Sequence, residues 1–585
     1  MDTQDTLQKT IPELRIAPRP SAEILQMLTE KIPGLHPLPA AILWNRGYRD
    51  FASIKAFMQP ALPDFSRMPA MKGMRAAVAR ITAARAAGEK ILVYGDYDVD
   101  GTCATAVMYS FLKKAGASVE SYNPDRYLEG YGISRAGIEF AEKAGHTLLI
   151  TLDCGIAATN RIAEARAAGI DVIVCDHHTP GEVLPRALAV LNPKQKDCPL
   201  YGEELCGCGV AFLLIRALCE AWSLPEKMWR EALPLTAVAT CCDIVDLTGM
   251  NRGIVKAGLT SLNENPPPGI AAMLQKAGYS GTLSVADVVF KIGPRINAAG
   301  RLAHAREAVQ LLISPDTASA APFAERLEAL NRERRILDKE VTAEAADVMT
   351  NYDPQLTKSA TVVKSDNWHK GVIGITASRL TEICYRPAVV FTEADGALTG
   401  SARSVEGFDI YAALKDCEDL FSRFGGHKAA AGVSLPSENF EAFRARFEQA
   451  VEARTKGIAP RPAIDIDAEA DFSEWYDGRF KQFFNQLNRL KPYGPKNREP
   501  LFLTRECRAE DVRIVGTDHL RFKARSDGAG RASFPVIAFG YGHLFDTLSS
   551  GAAFSMAYTI GTNEWNGRTS LQLEAKDIRP EKAEV

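Results

Sequence analysis

The chain has little of several features that would place it in a specialised class of protein. No hydrophobic run approaches the roughly 18 residues that a membrane-spanning helix requires. Residues 1–15 have neither the basic nor the apolar region of a secretory leader. The 12 cysteines among 585 residues are too few for a disulfide scaffold. We therefore expect a cytoplasmic protein with reduced thiols and no membrane partner.

An excess of charge of one sign is also absent. The 69 Lys and Arg against 72 Asp and Glu give a net charge of −3. This balance excludes a uniformly basic nucleic-acid coat, although it allows local basic patches. A hydrophobic content of 46% and a charged content of 24% are ordinary for globular proteins and exclude wholesale disorder. At roughly 150 residues per domain, the length predicts about four domains.

Strands and helices alternate in the first part of the chain with a clear pattern. Four apolar runs predict strands, at residues 91–95, 147–152, 171–175 and 188–191. Strands alternating with helices indicate a parallel sheet with right-handed crossovers. A charged segment from 315 to 349 predicts a long connecting helix, and a second α/β block follows to about residue 455. Short alternating segments beyond about residue 460, such as 519–525, predict an all-β barrel or sandwich.

Acidic side chains crowd the end of the first predicted strand. Asp96, Asp98 and Asp100 lie within five residues, which is electrostatically costly unless a hard divalent cation neutralises them. A calcium loop beginning at Asp96 would need a glutamate at its twelfth position, where Val107 stands. An acidic turn without metal, at the N-terminus of a helix, remains an alternative.

Later apolar segments end in side chains of the same kind. Asp153 follows the second strand, Asp176, His177 and His178 follow the third, and Asp243 follows residues 236–242, which we interpret as a further strand. Ligands of open α/β sheets bind outside the carboxyl ends of the strands, so we expect these side chains to meet. Each acid alone could cap a helix. The mixture of carboxylates and imidazole favours Mn²⁺ or Mg²⁺ over calcium or structural zinc.

A zinc site is the other metal alternative. Cys198, Cys206 and Cys208 lie near one another in sequence, but no second CxxC or HxxxH pair accompanies them. Cys241 and Cys242 flank the last acidic position and are more typical of buried packing residues.

Taken in order, these motifs resemble the DHH phosphoesterase superfamily, and within it the bacterial single-strand-specific 5′→3′ DNA exonucleases. The resemblance covers about residues 37–580. It is carried by DYDVDG (96–101), LDCG (152–155), CDHH (175–178), TCCDIVD (240–246), GPRINAAGRL (293–302), TGSARS (399–404), FGGHKAAAGVSL (424–435) and KPYGPKNREPLF (491–502).

The resemblance implies a multi-domain α/β fold. An N-terminal segment (1–74) would precede a parallel-sheet DHH domain (75–314) and a long connecting helix (315–352). A second α/β domain, the DHH-associated substrate-binding domain (353–458), and an all-β OB-fold domain that binds nucleic acid (459–585) would follow.

The resemblance also implies two metal ions, Mn²⁺ or Mg²⁺. Asp98 and Asp153 would hold one, and Asp100, Asp153, His177 and Asp243 would hold the other. Asp96 and His178 would be catalytic residues that orient the nucleophile or the scissile phosphate. Two departures from the family pattern stand out. Tyr94 replaces a histidine of some members, which would leave the first metal one ligand fewer or a water, and Lys496 and Arg498 replace a more usual glycine and proline.

Candidate DNA contacts follow from residue types. Gly425 and Gly426 would let backbone N–H groups approach a 5′-terminal phosphate beside His427, and Ser401 and Arg403 would project from one face of a strand. Further candidates near the metals are Arg126, Arg295, Asn297 and Arg301.

In the OB domain the candidate DNA contacts are Lys491, Arg521, Lys523 and Arg525. The last three alternate with apolar residues, as in a barrel that binds along single-stranded DNA. Each of these side chains could instead form an ion pair or face solvent.

The leading hypothesis is processive 5′→3′ hydrolysis of single-stranded DNA to 5′-mononucleotides, in DNA recombination and repair. By resemblance we expect a monomer that works with a single-strand-binding protein and a helicase. One alternative is hydrolysis of a small substrate, namely pyrophosphate, a short oligoribonucleotide or a cyclic dinucleotide; the length of the chain argues against it. Another is an inactive DNA-binding scaffold, against which the complete set of carboxylates and histidines argues.

Overall fold

The chain folds as two compact units. The computed structural model describes residues 11–68, 70–350, 358–394, 396–458, 460–476, 478–530, 532–565 and 568–581. One unit spans Leu62–Pro462, and the other joins Pro12–Ala61 to the described residues from Ala463 onward. No helix in these ranges is both long and apolar enough to cross a bilayer.

The N-terminal part of the chain contains one short strand and four helices. They are β1 (Glu13–Ile16), α1 (Ala22–Lys31), α2 (Pro37–Asn45), α3 (Phe51–Met58) and α4 (Met74–Ala87). Of these, only α4 belongs to the first unit.

A five-stranded parallel sheet follows α4. Its elements are β2 (Lys90–Gly95), α5 (Val99–Lys114), β3 (Ser118–Tyr122), α6 (Arg135–Lys143), β4 (Leu148–Leu152), α7 (Thr159–Ala167), β5 (Asp171–Cys175) and β6 (Ala189–Leu191). The strand order is β3-β2-β4-β5-β6. Every residue of β4 is buried, as expected for a parallel strand covered on both faces. The four predicted strands are thus confirmed, whereas β3, in which only Val119 is buried, was not predicted.

Helices complete this part of the unit. They are α8 (Gly207–Ala221), α9 (Lys227–Arg230), α10 (Leu233–Cys242), α11 (Gly249–Glu264), α12 (Pro268–Lys276), α13 (Val285–Asp287), a π-helical turn (Val288–Ile292), α14 (Gly293–Leu302), α15 (Arg306–Leu312) and the 34-residue α16 (Thr317–Thr350). The long connecting helix is therefore confirmed. The strand expected at 236–242 is wrong: those residues belong to α10, which is buried along nearly all of its length. A short apolar run carries no period that separates a buried helix from a buried strand.

A second, mixed sheet lies beyond α16. Its elements are β7 (Thr361–Lys364), α17 (Ile373–Cys384), β8 (Ala388–Ala394), β9 (Ala397–Arg403), α18 (Ile410–Lys415), β10 (Arg423–Gly426), β11 (Ala430–Leu435) and α19 (Phe440–Thr455). The strand order is β10-β11-β9-β8-β7, and β7 and β8 are parallel while the other neighbours are antiparallel.

The C-terminal part is a closed, mainly antiparallel barrel. Its elements are β12 (Ala463–Ile466), β13 (Ala468–Glu469), α20 (Phe472–Trp475), α21 (Phe480–Arg489), β14 (Phe502–Val515), β15 (His519–Arg525), β16 (Phe534–Phe539), α22 (Phe545–Ser549), β17 (Phe554–Trp565) and β18 (Arg568–Pro580). The barrel closes because β14 pairs with both β15 and β17. The predicted all-β domain is confirmed.

The N-terminal helices share the core of this barrel. Leu28, Ile42 and Phe57 lie in the same buried cluster as Trp475 and Phe502, and β1 pairs with β12. Nothing in the sequence pattern indicated this long-range packing. The five segment boundaries drawn from the sequence stay predictions.

Candidate metal centre and nucleic-acid interface

Three strand ends and one helix end bring polar side chains to one place. The imidazole Nε2 of His177, which follows β5, lies 3.1 Å from Asp153 Oδ1, 3.5 Å from Asp243 Oδ2 and 3.9 Å from Asp100 Oδ2. Ligand atoms of Asp96, Asp98 and Asp153 lie within 4.8 Å of one another, as do those of Asp153, His177 and His178. We call this set the acidic cluster; its members are Asp96, Asp98, Asp100, Asp153, His177, His178 and Asp243.

Asp153 occupies the middle of the cluster in an unusual backbone conformation. Its φ angle is 60°, in the left-handed region that Asp and Asn tolerate better than most residues. Its N–H donates to the carbonyl of Cys175 at 2.9 Å, and its carbonyl accepts the hydroxyl of Tyr131 at 3.2 Å. These bonds hold a turn of the kind that is found at functional sites.

Backbone amides at the start of α8 hold the carboxylate of Asp100. The N–H of Gly207 donates to Oδ2 at 2.5 Å, and that of Cys208 donates to Oδ1 at 2.8 Å. A helix N-terminus stabilises a carboxylate placed there. No sequence motif predicted this contact, although Gly207, in the first turn of the apolar helix α8, is a signal of close backbone approach.

Asp176 orders the loop that carries the two histidines. It accepts the backbone N–H groups of Ile156, His177 and His178 and the Nδ1 of the His178 ring, all within 3.1 Å. Burial lowers the pKa of His178, but the hydrogen bond and charge of Asp176 outweigh it, so the net pKa is raised. Asp176 therefore holds His177 and His178 in position.

The electrostatics of the cluster fit a bound cation. Burial and then neighbouring carboxylates raise the pKa of Asp100 to about 6 and that of Asp243 to about 9. Burial and the neighbouring His178 lower the pKa of His177 to about 3. Within the described residues, Asp96 Oδ1, Asp153 Oδ1, Asp243 Oδ2 and both ring nitrogens of His177 are buried without a hydrogen-bond partner. Such oxygens and nitrogens are suitable ligands for Mn²⁺ or Mg²⁺.

The side chain of Tyr94 packs on a second tyrosine and bonds to two backbone groups. Its ring stacks on Tyr122 with centroids 5.3 Å apart, and its hydroxyl donates to the carbonyl of Gly132 and accepts the N–H of Ser134, both at 3.0 Å. Both functions of the hydroxyl are thus occupied by backbone. That the first metal has one protein ligand fewer stays a prediction.

Three predicted phosphate contacts, Arg126, Arg301 and Arg403, form a partly buried group of like charge, which we call the arginine cluster. Burial, then the charges of Arg126 and Arg403, lower the pKa of Arg301 to about 10, and burial and Arg126 also lower the pKa of Arg403. No carboxylate in the described part of the chain forms an ion pair with any of the three. Arg126 also stacks on Tyr97 at 4.8 Å and its charge acts on Asp96, which links the two clusters.

Ser401 joins the arginine cluster, since its Oγ accepts from Arg403 Nη1 at 3.0 Å. Asn297 lies on α14 four residues before Arg301, and therefore on the same helix face. Arg295 is already neutralised by Glu328 at 2.6 Å, so a phosphate would have to displace that carboxylate. His427 is exposed in the turn between β10 and β11.

In the barrel, β15 has the predicted alternation: Leu520, Phe522 and Ala524 are buried, while Arg521 and Lys523 are exposed. The basic face is partly neutralised, however, because Lys523 pairs with Asp511 at 2.7 Å and Arg525 with Glu510 at 3.1 Å. Lys491 is exposed.

The two loop departures differ in their structural effect. Lys496 has a φ of 58°, the conformation for which a glycine is usual. Arg498 forms an ion pair with Asp465 at 2.5 Å.

The parallel sheet with its acidic cluster, the second sheet, which carries Arg403, and the closed barrel define a phosphoesterase of the DHH type with a C-terminal barrel domain. Comparison with known families agrees: residues 90–240 match the DHH family N-terminal domain, residues 357–453 the DHHA1 domain and residues 466–577 the RecJ OB domain. The chain belongs to the RecJ family.

Relatives of this family cover almost the whole chain. The chain is 35% identical over 96% of its length to the single-stranded-DNA-specific exonuclease RecJ of Bacillus subtilis (70% of that protein), and 31% identical over 93% to that of Escherichia coli (96% of that protein). Its structure resembles crystalline RecJ of Thermus thermophilus in complex with Mn²⁺, with a TM-score of 0.82 and 33% identity, over 98% of this chain and 80% of that one.

Proposed function

We propose that the chain is a metal-dependent exonuclease that degrades single-stranded DNA from its 5′ end to 5′-mononucleotides, in DNA recombination and repair. The observation that carries the proposal is the acidic cluster, with its unpartnered buried ligand atoms, next to three partly buried arginines that lack a carboxylate partner in the described part of the chain. A site that combines metal ligands with unneutralised cations fits a phosphodiester. The relatives named as single-stranded-DNA-specific exonucleases support the substrate class.

Side chains of the acidic cluster would hold two ions. Asp98 and Asp153 would hold one, and Asp100, Asp153, His177 and Asp243 the other, so that Asp153 bridges. Bound Mn²⁺ or Mg²⁺ would activate a water, neutralise phosphate oxygens and stabilise the departing 3′ oxygen. Asp96 and His178 would orient the nucleophile or the phosphate.

The arginine cluster would set the polarity of the reaction. Arg301, Arg403 and Ser401, with Arg126 between them and the acidic cluster, would bind the terminal 5′-phosphate through charge-assisted hydrogen bonds. Holding that phosphate next to the reactive site means that cleavage releases the terminal nucleotide. The basic face of β15 and Lys491 would hold the strand further along.

A labelled 40-mer tests the proposal in the presence of Mn²⁺. A 5′ label should be released as a mononucleotide while a 3′ label still reports long strands, and a duplex, a dinucleotide and pyrophosphate should react far more slowly. A ladder of shortened 5′-labelled products, preferred hydrolysis of pyrophosphate, or binding without hydrolysis would each refute it. The single-strand-binding protein and helicase as partners, a monomeric state and a cytoplasmic location stay predictions from the resemblance.

A further inference from the structure

A lysine outside the sequence motifs, Lys194, lies on a loop that is bonded to the acidic cluster. Lys194 lies on the loop after β6. The buried side chain of Asn192 donates from Nδ2 to the carbonyl of His178 at 2.9 Å and accepts the N–H of Lys194 at 2.7 Å. The amide of Gln195, also buried, donates to the carbonyls of Val190 and Asn192. This loop is therefore tied to the segment that carries both histidines.

The ion-pair partner of Lys194 is also attached to the cluster. Glu204 Oε2 lies 3.2 Å from Lys194 Nζ, and Glu204 stands three residues before Gly207, whose N–H donates to Asp100 Oδ2. The pair of Lys194 and Glu204 therefore joins two segments that each carry or contact members of the acidic cluster.

The partner of Lys194 is one that a phosphate can replace. Its Nζ lies 3.2 Å from Glu204 Oε2, and the two side chains are 29% and 45% exposed, so the pair is screened by water and weak. The backbone of Glu204 is held independently of its carboxylate, because its carbonyl accepts the side-chain amide of Asn251 at 2.6 Å. Loss of the ion pair therefore leaves the loop anchored at both ends.

We propose that Lys194 is a further substrate-binding residue, whose ammonium exchanges the carboxylate of Glu204 for a non-bridging phosphate oxygen of the bound strand. The inference rests on the proposed function. A phosphodiester that reaches the cluster brings negative charge towards five aspartates, and a cation on a loop attached to the cluster offsets that repulsion. A lysine suits the role because its ammonium is a mobile point charge on a flexible stem.

The alternative is a purely structural role, in which the ion pair of Lys194 and Glu204 only holds in place the loop that leads to Gly207. The variants Lys194→Met, Lys194→Arg and Glu204→Gln distinguish the two roles. Initial rates on 5′-phosphorylated oligothymidylate with Mn²⁺ are measured from about 50 to about 300 mM KCl, since each phosphate contact to a single strand adds about 0.7 to the slope of log affinity against log salt.

A substrate contact predicts that Lys194→Met raises KM about tenfold at the lowest salt and reduces that slope by about 0.7. Lys194→Arg should restore most of the loss, and Glu204→Gln should leave KM unchanged or lower it. If Lys194→Met and Glu204→Gln raise KM equally and leave the salt slope unchanged, the ion pair has only a structural role and the inference is overturned. A Lys194→Met enzyme with wild-type KM would also overturn it.

Two controls keep the outcomes separate. A melting curve shows whether Lys194→Met folds. If it does not, Glu204→Gln alone distinguishes the two roles, and a raised KM in that variant contradicts the substrate contact. A wild-type protein that fails to degrade the strand would overturn the proposed function itself. Degradation by the wild type, with both variants impaired alike, would overturn only the role of Lys194.

Discussion

At the scale of single residues, the acidic cluster is ordered by the backbone independently of any ion. Asp98 accepts the N–H of Gly101, Asp100 accepts two amides of α8, and Asp153 is fixed in its turn by Cys175 and Tyr131. Asp153 Oδ1, Asp243 Oδ2 and His177 Nε2 are left without hydrogen-bond partners, and Nε2 lies within 3.5 Å of both oxygens. Preorganised ligands of this kind lose little conformational freedom when an ion binds.

The central residue of this arrangement is Asp153. We expect Asp153→Asn to lower kcat on single-stranded DNA by at least a hundredfold, about 2.7 kcal/mol of barrier, because a neutral amide cannot bridge two cations. Asparagine tolerates the left-handed backbone, so the fold should persist. The surface variant Asp197→Asn, at a side chain 69% exposed, is the matched control and should keep wild-type kcat. Residual activity above one hundredth of wild type would exclude a bridging role.

The arginine cluster makes a separate prediction about the 5′ end. Arg403→Gln should remove a charge-assisted contact of about 1.5–3 kcal/mol and so reduce the preference for a 5′-phosphorylated over a 5′-hydroxyl oligonucleotide by about tenfold or more. The ratio of the two kcat/KM values measures it. Arg135→Gln, at an exposed arginine on α6, should leave the ratio unchanged. An unaltered preference in Arg403→Gln would rule out this anchor.

At the scale of the element, local pattern predicted the site better than it predicted the elements around it. The buried strands β2, β4 and β5 follow from short apolar runs that end in polar residues, and this placed Asp96, Asp153 and His177 together. The segment before Asp243 was expected to be a strand and is α10, yet Asp243 still reaches the cluster because it caps the C-terminal end of that helix. Gly207 signals a close backbone approach, but its contact with Asp100 could not be predicted, since residues 100 and 207 meet only through the tertiary fold.

The start of α8 gives a prediction at this scale. A Cβ on Gly207 would lie 2.6 Å from Asp153 Cβ and 2.7 Å from its Cα, so Gly207→Ala should destabilise the first unit by about 1–3 kcal/mol and weaken Mn²⁺ binding. On the same helix, a Cβ on Gly209 would make only ordinary contacts from 3.4 Å, and Gly209→Ala should be neutral or stabilising by up to about 1 kcal/mol. Urea denaturation measures the stability of both variants, and Mn²⁺ titration measures their affinity for the ion. Equal behaviour of the two would contradict the close approach.

At the scale of the whole molecule, residues far apart in sequence build one unit. The N-terminal helices α1–α3 bury their apolar faces in the same core as the C-terminal barrel, and β1 pairs with β12. No local pattern predicts a contact between residues hundreds of positions apart, so no role for the N-terminal segment could be predicted from the sequence. The barrel itself was predictable because its strands alternate residue by residue.

This division predicts how the chain can be shortened. A fragment of residues 62–462 should keep the acidic and arginine clusters and hydrolyse short oligonucleotides, with weaker affinity and processivity on long strands. Truncation after residue 462 alone should aggregate, because α1–α3 would expose the apolar faces that the barrel covers. Light scattering and kinetics on strands of increasing length test both. Equal loss of hydrolysis on short and long strands by the 62–462 fragment would refute a separate binding module.

The proposed activity depends most on a pair of ions bound by the acidic cluster. Anomalous diffraction from crystals of the full chain grown with Mn²⁺ measures this directly. We predict two manganese peaks, both bonded to the carboxylate of Asp153, one also to Asp98 and the other also to Asp100, His177 and Asp243. An absence of peaks at Asp153, or manganese bound only elsewhere on the chain, would contradict it.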